Sequence, residues 1–232
     1  MKKSHNIGTF LSGQETIGGF GYLAFQLLLL PSVLTFVSEH MPVPLSTAEM
    51  NFLFYFLNFI AVLLIFHNFL SRSLSHALHH FIDLCQAVVL GAAAYFACKY
   101  ATTWLVQLVY PSFTNYNDEA ISSMIQGNYL MMFIGTVILV PPVEECLYRG
   151  LIFRNLYEKS KWAAYIVSIL AFTMIHIVGY IGTYTALELL LAVLQYIPAG
   201  LCLAWAYTKA DTIFAPILIH VAINFIGFNA VR

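Results

Sequence analysis

The sequence predicts an all-α fold, a polytopic transmembrane helical bundle of about seven to eight spans. Three observations predict it. Apolar residues make up 60% of the 232, and Asp, Glu, Lys and Arg only 9%, against roughly 25% charged in an ordinary soluble domain. Mean hydropathy is +0.80. The apolar residues also gather into runs of about 20, the length that crosses a bilayer as a helix. A soluble chain of this size needs far more charge to coat its surface. Lipid is therefore the expected solvent, and residues 1–232 are read as a single membrane domain.

In chain order, the first expected span covers residues 17–37, and the second 50–70. The turn between them, 38–49, holds Pro42 and Pro44. The third covers 82–110. A fourth segment, 129–156, is interrupted by Pro141-Pro142 and a charged run, and counts as one span or two pieces. Residues 162–180, 186–207 and 212–228 complete the set. Unpaired backbone groups are not tolerated in lipid, which makes helices the expected form. The apolar run starts only near Ile17 and no small-residue cleavage pattern follows, so it reads as a retained span rather than a cleaved leader.

Positive charge sorts with this count. Lys2 and Lys3 precede the first span, and Arg72 lies between the second and third. Arg154, Lys159 and Lys161 follow the interrupted segment, and Lys209 precedes the last span. With alternating spans all of these fall on one side, while the loops around Glu39 and Asp118-Glu119 carry no Lys or Arg. The expected address is a cell membrane with the N-terminus cytoplasmic. His76, His79 and His80 fall on the Arg72 side and read as a solvated, mildly basic face rather than a metal site. A formal net charge of −1 and a pI near 6.7 argue against a nucleic-acid partner. Cys85, Cys98, Cys146 and Cys202 show no CxxC spacing and read as small packing residues.

Ionisable residues inside spans are expensive and mark function. Three groups stand out: Glu144-Glu145 with Arg149, His176 after Phe172, and His220 with Asn224. Adjacent carboxylates on a helix point about 100° apart, so Glu144 and Glu145 need not share a role. Glu145 and Arg149 are spaced i, i+4 and can pair along one face. That leaves Glu144 as the candidate general base. The bland alternative is an ion network at the cytoplasmic edge. His220 and Asn224 share a helix face; an imidazole and an amide can orient water, bind a metal or stabilise an oxyanion. There is no HExxH. Glu144, His176 and His220 could still form a two-His, one-carboxylate shell for a divalent metal such as zinc, or hold a water for metal-free attack. No cofactor is firmly expected.

These groups carry a resemblance. Glu-Glu-x-x-x-Arg at Glu144–Arg149, Phe-x-x-x-His at Phe172–His176 and His-x-x-x-Asn at His220–Asn224 occur in that order within spans. Around them stand PPVEECLYRG and APILIHVAIN. The last 110 or so residues resemble the CAAX-protease and bacteriocin-processing (CPBP, or Abi) family of intramembrane proteases. The resemblance implies an endopeptidase acting on a membrane-associated peptide or protein. By similarity, Glu144 activates the water and His176 helps to place it. His220 and Asn224 stabilise the oxyanion, and Glu145 and Arg149 are structural or assisting. Both metal-dependent and metal-free mechanisms have been proposed for the family. A short chain without added domains looks like the bacterial members, linked to bacteriocin maturation, self-immunity and peptide signalling. The competing readings are a non-catalytic scaffold or immunity protein of the same fold, and a transporter in which Lys99 and Glu188 join a proton path.

Overall fold

Capping residues fix where several helices begin. Ser12, Ser46 and Thr185 each accept a hydrogen bond from the backbone N–H of a glutamate three residues on. Each glutamate reaches back to the cap's own N–H, which satisfies orphan donors reciprocally. The computed structural model of the chain describes residues 10–230; Lys2 and Lys3, used above to orient the chain, lie outside them.

The helices, in order, are α1 (Gly13–Leu28), α2 (Leu30–Glu39), α3 (Thr47–Ile65), α4 (His67–His79), α5 (Phe81–Val109) and α6 (Tyr116–Ile125). Then follow α7 (Tyr129–Tyr157), α8 (Lys161–Ile177), α9 (Ala186–Ala210) and α10 (Phe214–Ala230). The result is a polytopic helical bundle. Among the described residues, five helices are long and apolar enough to cross a membrane, or up to six if α1 and α2 form one bent span. That is fewer than the seven to eight expected from hydropathy. At 17 residues, α10 is short for a span. Asp211, in the left-handed region at φ 52°, ends α9, and the helix that follows starts only at Phe214.

Three further local expectations change. Residues 17–37 form two helices bent by 47°, because Pro31 lacks an N–H and its ring crowds the preceding turn. Residues 66–70 leave the second span and open α4. There the Glu15 carboxylate accepts the Phe69 N–H at 2.6 Å, capping α4 from another helix. The segment holding His76, His79 and His80 is thus helix, with the His76 and His80 rings stacked 4.2 Å apart. Finally, Pro141-Pro142 does not break α7. The helix widens into π turns at Ile134–Leu139 and again at Glu145–Phe153. The first wide turn draws aside the carbonyls with which the proline rings would clash.

Burial shows the layering. Over their apolar windows α7 and α9 are 56% buried, whereas α3 and α5 are 17% buried, so the first two are central and the others face lipid. Leu64, Val89, Leu108 and Trp162 on the outer helices are strongly exposed. Cys85 and Cys98 are exposed too, while Cys146 and Cys202 are buried packing residues; all four are free thiols. At one end, here the α4 end, Arg72 binds Glu15 at 3.0 Å, Thr212 donates to the Ser73 carbonyl, and Arg154 lies over the Phe10 ring. The opposite α6 end is tied by Asn115, which donates to Gln195 at 2.8 Å and accepts from Tyr196 at 3.2 Å.

Candidate active site

The site begins with a backbone defect in α7. Val140 gives its N–H to the Gly135 carbonyl, an i→i+5 bond. Pro141 has no N–H to give, so the Thr136 carbonyl is left without a helical donor. Asn224 on α10 fills the vacancy, donating from Nδ2 at 2.8 Å. The proline pair therefore creates the acceptor that holds α10 against α7, and one of the two Asn224 amide hydrogens is committed to it. The second wide turn, starting at Glu145, has its Tyr148 carbonyl bonded by the Ser168 hydroxyl of α8 at 3.0 Å.

Below the site lies a buried ionic cluster. Glu145 and Arg149 have no exposed surface, and His220 is 4% exposed. Arg149 Nη1 donates to Glu145 Oε1 at 3.1 Å, and His220 Nδ1 donates to the same oxygen at 2.7 Å. The guanidinium lies 4.3 Å from the centre of the Phe172 ring and also reaches the Ala199 and Gly200 carbonyls at 3.5 Å. A buried charge needs such company, since an unpaired ion in this setting costs several kcal/mol. Gly200 lets α8 pack closely on α9: a Cβ there would stand 3.0 Å from Ile169.

Above the cluster lies a cavity of about 460 Å³. Glu144, His176, His220 and Asn224 line it, whereas Glu145 and Arg149 do not. The carboxylates thus have different surroundings: Glu145 is consumed by the cluster, and Glu144 faces the cavity. Glu144 Oε2 is buried with no hydrogen-bond partner and stands 3.8 Å from His220 Nε2. With Nδ1–H given to Glu145, His220 turns Nε2 towards Glu144. His176 has the same polarity by another route, because its Nδ1–H donates to the Phe172 carbonyl at 2.8 Å and frees Nε2. The Tyr196 ring stacks 4.4 Å from it.

Among the described residues no three His, Cys, Asp or Glu side chains gather as a metal-holding group. Glu144 and His220 oppose one another as a pair, and His176 does not complete a third ligand position. The transporter reading loses Glu188, which caps α9 through Thr185. Lys99, by contrast, lines the cavity rather than reaching for a membrane surface, and Asp118 of α6 lines it too. Sequence reasoning passed over Tyr148. It occupies an unspecified position of the Glu-Glu-x-x-x-Arg motif, and its i, i+4 spacing from Glu144 is the signal that could have singled it out.

Comparison with known proteins meets this geometry. The family described as Type II CAAX prenyl endopeptidase Rce1-like matches residues 126–226, which hold all three motifs, helices α7 to α9 and most of α10. Over this segment the chain is similar to the CAAX-protease and bacteriocin-processing family. It is also similar to the putative membrane peptidase YdiL of Bacillus subtilis (strain 168), 29% identical over 110 residues. That match covers 47% of this chain and 40% of the relative, so the shared region is less than half of each. No solved structure matches.

Proposed function

We propose that the protein is an intramembrane endopeptidase in which Glu144 activates a water against a peptide bond. One observation carries the reading: a buried, unpartnered Glu144 carboxylate oxygen faces His220 Nε2 across a cavity that also receives His176 and Asn224. The Glu144 carboxylate takes a proton from the water as its oxygen attacks the scissile carbonyl carbon. His176, fixed by Phe172, offers Nε2 to the water's other hydrogen. Charge builds on the former carbonyl oxygen, where Asn224's second amide hydrogen and His220 Nε2–H donate. His220, held at Nδ1 by Glu145, presents its Nε2 to this side. Collapse of the tetrahedral intermediate breaks the C–N bond, and protonated Glu144 returns its proton to the leaving amine. No step in this scheme needs a metal.

The substrate class is a membrane-associated peptide or protein, of the bacteriocin-processing or peptide-signalling kind. The membrane is a cell membrane, with the Arg72 and Arg154 end cytoplasmic by charge. The cavity then opens towards the opposite face. The test uses purified protein in proteoliposomes with two internally quenched peptides, one S-farnesylated with a CAAX-type end and one plain and hydrophobic. Glu144→Gln is expected to abolish cleavage while thermal stability stays within a degree or two. A zinc chelator is expected to leave wild-type turnover unchanged. Wild-type rates in Glu144→Gln would sink the proposal.

A further inference from the structure

Among the polar groups that line the cavity, Tyr148 has no role so far. The Tyr148 side chain is 2% exposed, and its hydroxyl is buried without a hydrogen-bond partner. Burying a hydroxyl unpaired costs about 1–3 kcal/mol, and a phenylalanine would fill the same space without that cost. The ring itself is well accounted for: it packs edge-on against Phe172, with centroids 5.9 Å apart, and joins Tyr95, Leu203 and Ile219 in an apolar cluster. Only the oxygen is unexplained.

Its position supplies the explanation. Tyr148 lines the same cavity as Glu144 and lies four residues further along α7, on the same face of the helix. Glu144 Oε2 is likewise buried and unpartnered. Two residues on successive turns thus line one space, and each carries a buried polar atom without a partner. Phe172 packs against both Tyr148 and His220, with 5.8 Å between the Phe172 and His220 ring centroids.

Resting on the peptidase reading above, we infer that the Tyr148 hydroxyl is a further catalytic donor, giving its hydrogen bond to the oxygen of the tetrahedral intermediate beside His220 and Asn224. A phenol suits this role in a low-dielectric cavity, because it donates while remaining neutral. The bond strengthens as the substrate carbonyl gains negative charge, so it acts on the transition state more than on bound substrate.

The experiment compares wild type, Tyr148→Phe and Glu144→Gln in proteoliposomes with the quenched hydrophobic peptide, alongside thermal unfolding of each in detergent. Tyr148→Phe keeps the ring and removes the donor. The expected result is a kcat lowered about 10- to 100-fold, since loss of one oxyanion donor typically costs on that order or more. KM stays within about two-fold, and the melting temperature is unchanged or higher because an unpartnered hydroxyl has gone. A purely structural hydroxyl would give the reverse, a lower melting temperature with kcat preserved, and that result overturns the inference. So does a Tyr148→Phe kcat within two-fold of wild type; if Glu144→Gln is then inactive, the glutamate reading stands without Tyr148. An active Glu144→Gln variant removes both.

Discussion

The two ends of the bundle are filled differently. Towards the α4 end, Val62, Phe66, Phe69, Leu147, Leu151, Phe153, Tyr207 and Ile213 all have zero exposure and pack on one another. Towards the α6 end, the same helices part around a cavity of about 460 Å³ edged with Asn, Gln, Tyr, Lys99 and Asp118. The candidate catalytic groups lie at the seam. Glu145 and Arg149 belong to the solid half, where their charges cancel, and Glu144 and His176 belong to the hollow one. His220 touches both, with Nδ1 on Glu145 and Nε2 towards Glu144. The lesson is a division of labour: a close-packed half fixes ring and carboxylate orientation, and a loosely filled half leaves room for water and substrate.

The sharpest way to break that comparison is to disturb each half in turn. Arg149→Met should cost about 3–5 kcal/mol, because it removes the cation that balances the buried Glu145 carboxylate and leaves it only His220. Thermal unfolding in detergent measures it; a melting temperature equal to that of Glu144→Gln would show that the two halves do not differ as described. The next effect comes from one substitution made twice. Gly19→Ala places a Cβ 2.7 Å from Phe66 Cζ and 3.0 Å from Leu151, so overpacking should cost about 1–3 kcal/mol. Gly227→Ala on the cavity wall meets nothing within 4 Å, and should be neutral or stabilising by up to about 1 kcal/mol, as alanine favours helix. Equal losses at both glycines would erase the distinction between the halves.

What the sequence made legible follows from the same physics. Spans could be read because bilayer thickness imposes a length on apolar runs, and Glu144, His176 and His220 because ionisable residues within such runs are costly. The rest depended on packing. Pro141-Pro142 reads as a break in one dimension, yet wide turns carry α7 through it, and the freed Thr136 carbonyl becomes an anchor for Asn224. Residues 66–79 read as a span end and a loop, but Glu15, far away in the chain, caps them as a helix. Lys99 stands in the sequence only as a charge within an apolar run, and the placement of α6 shows that it faces a cavity. Tyr148 was invisible for a related reason: a tyrosine in an apolar run is ordinary until its hydroxyl proves to have no partner.

Asn224 tests the seam at smaller scale. Asn224→Ala leaves the Thr136 carbonyl without its donor. The residue is half-buried and cavity water can re-pair the carbonyl, so the expected loss is about 1 kcal/mol in thermal unfolding. Peptide turnover should fall much further than stability, because an oxyanion donor goes too. Matching small losses in both would leave Asn224 a purely structural anchor.

The smallest effect concerns Asp118, on α6 and outside the spans. Burial among protein groups holds its carboxyl above the usual carboxylate range, with Lys99 and His176 pulling the other way. A raised value means that the folded protein keeps this proton more firmly than the unfolded chain does. The associated stability is complete below the ordinary value of 3.8, and it is lost as pH rises through the raised one. Asp118→Asn removes that titration. Between about pH 4 and pH 7 the wild-type melting temperature should slip relative to the variant, and the two should converge at the acid end. The change should be slight, since Asp118 opens to the cavity and water there screens its charge. A wild-type curve parallel to that of Asp118→Asn throughout would mean that the α6 end exacts no cost for ionising Asp118, and that the hollow half is as well hydrated as bulk solvent.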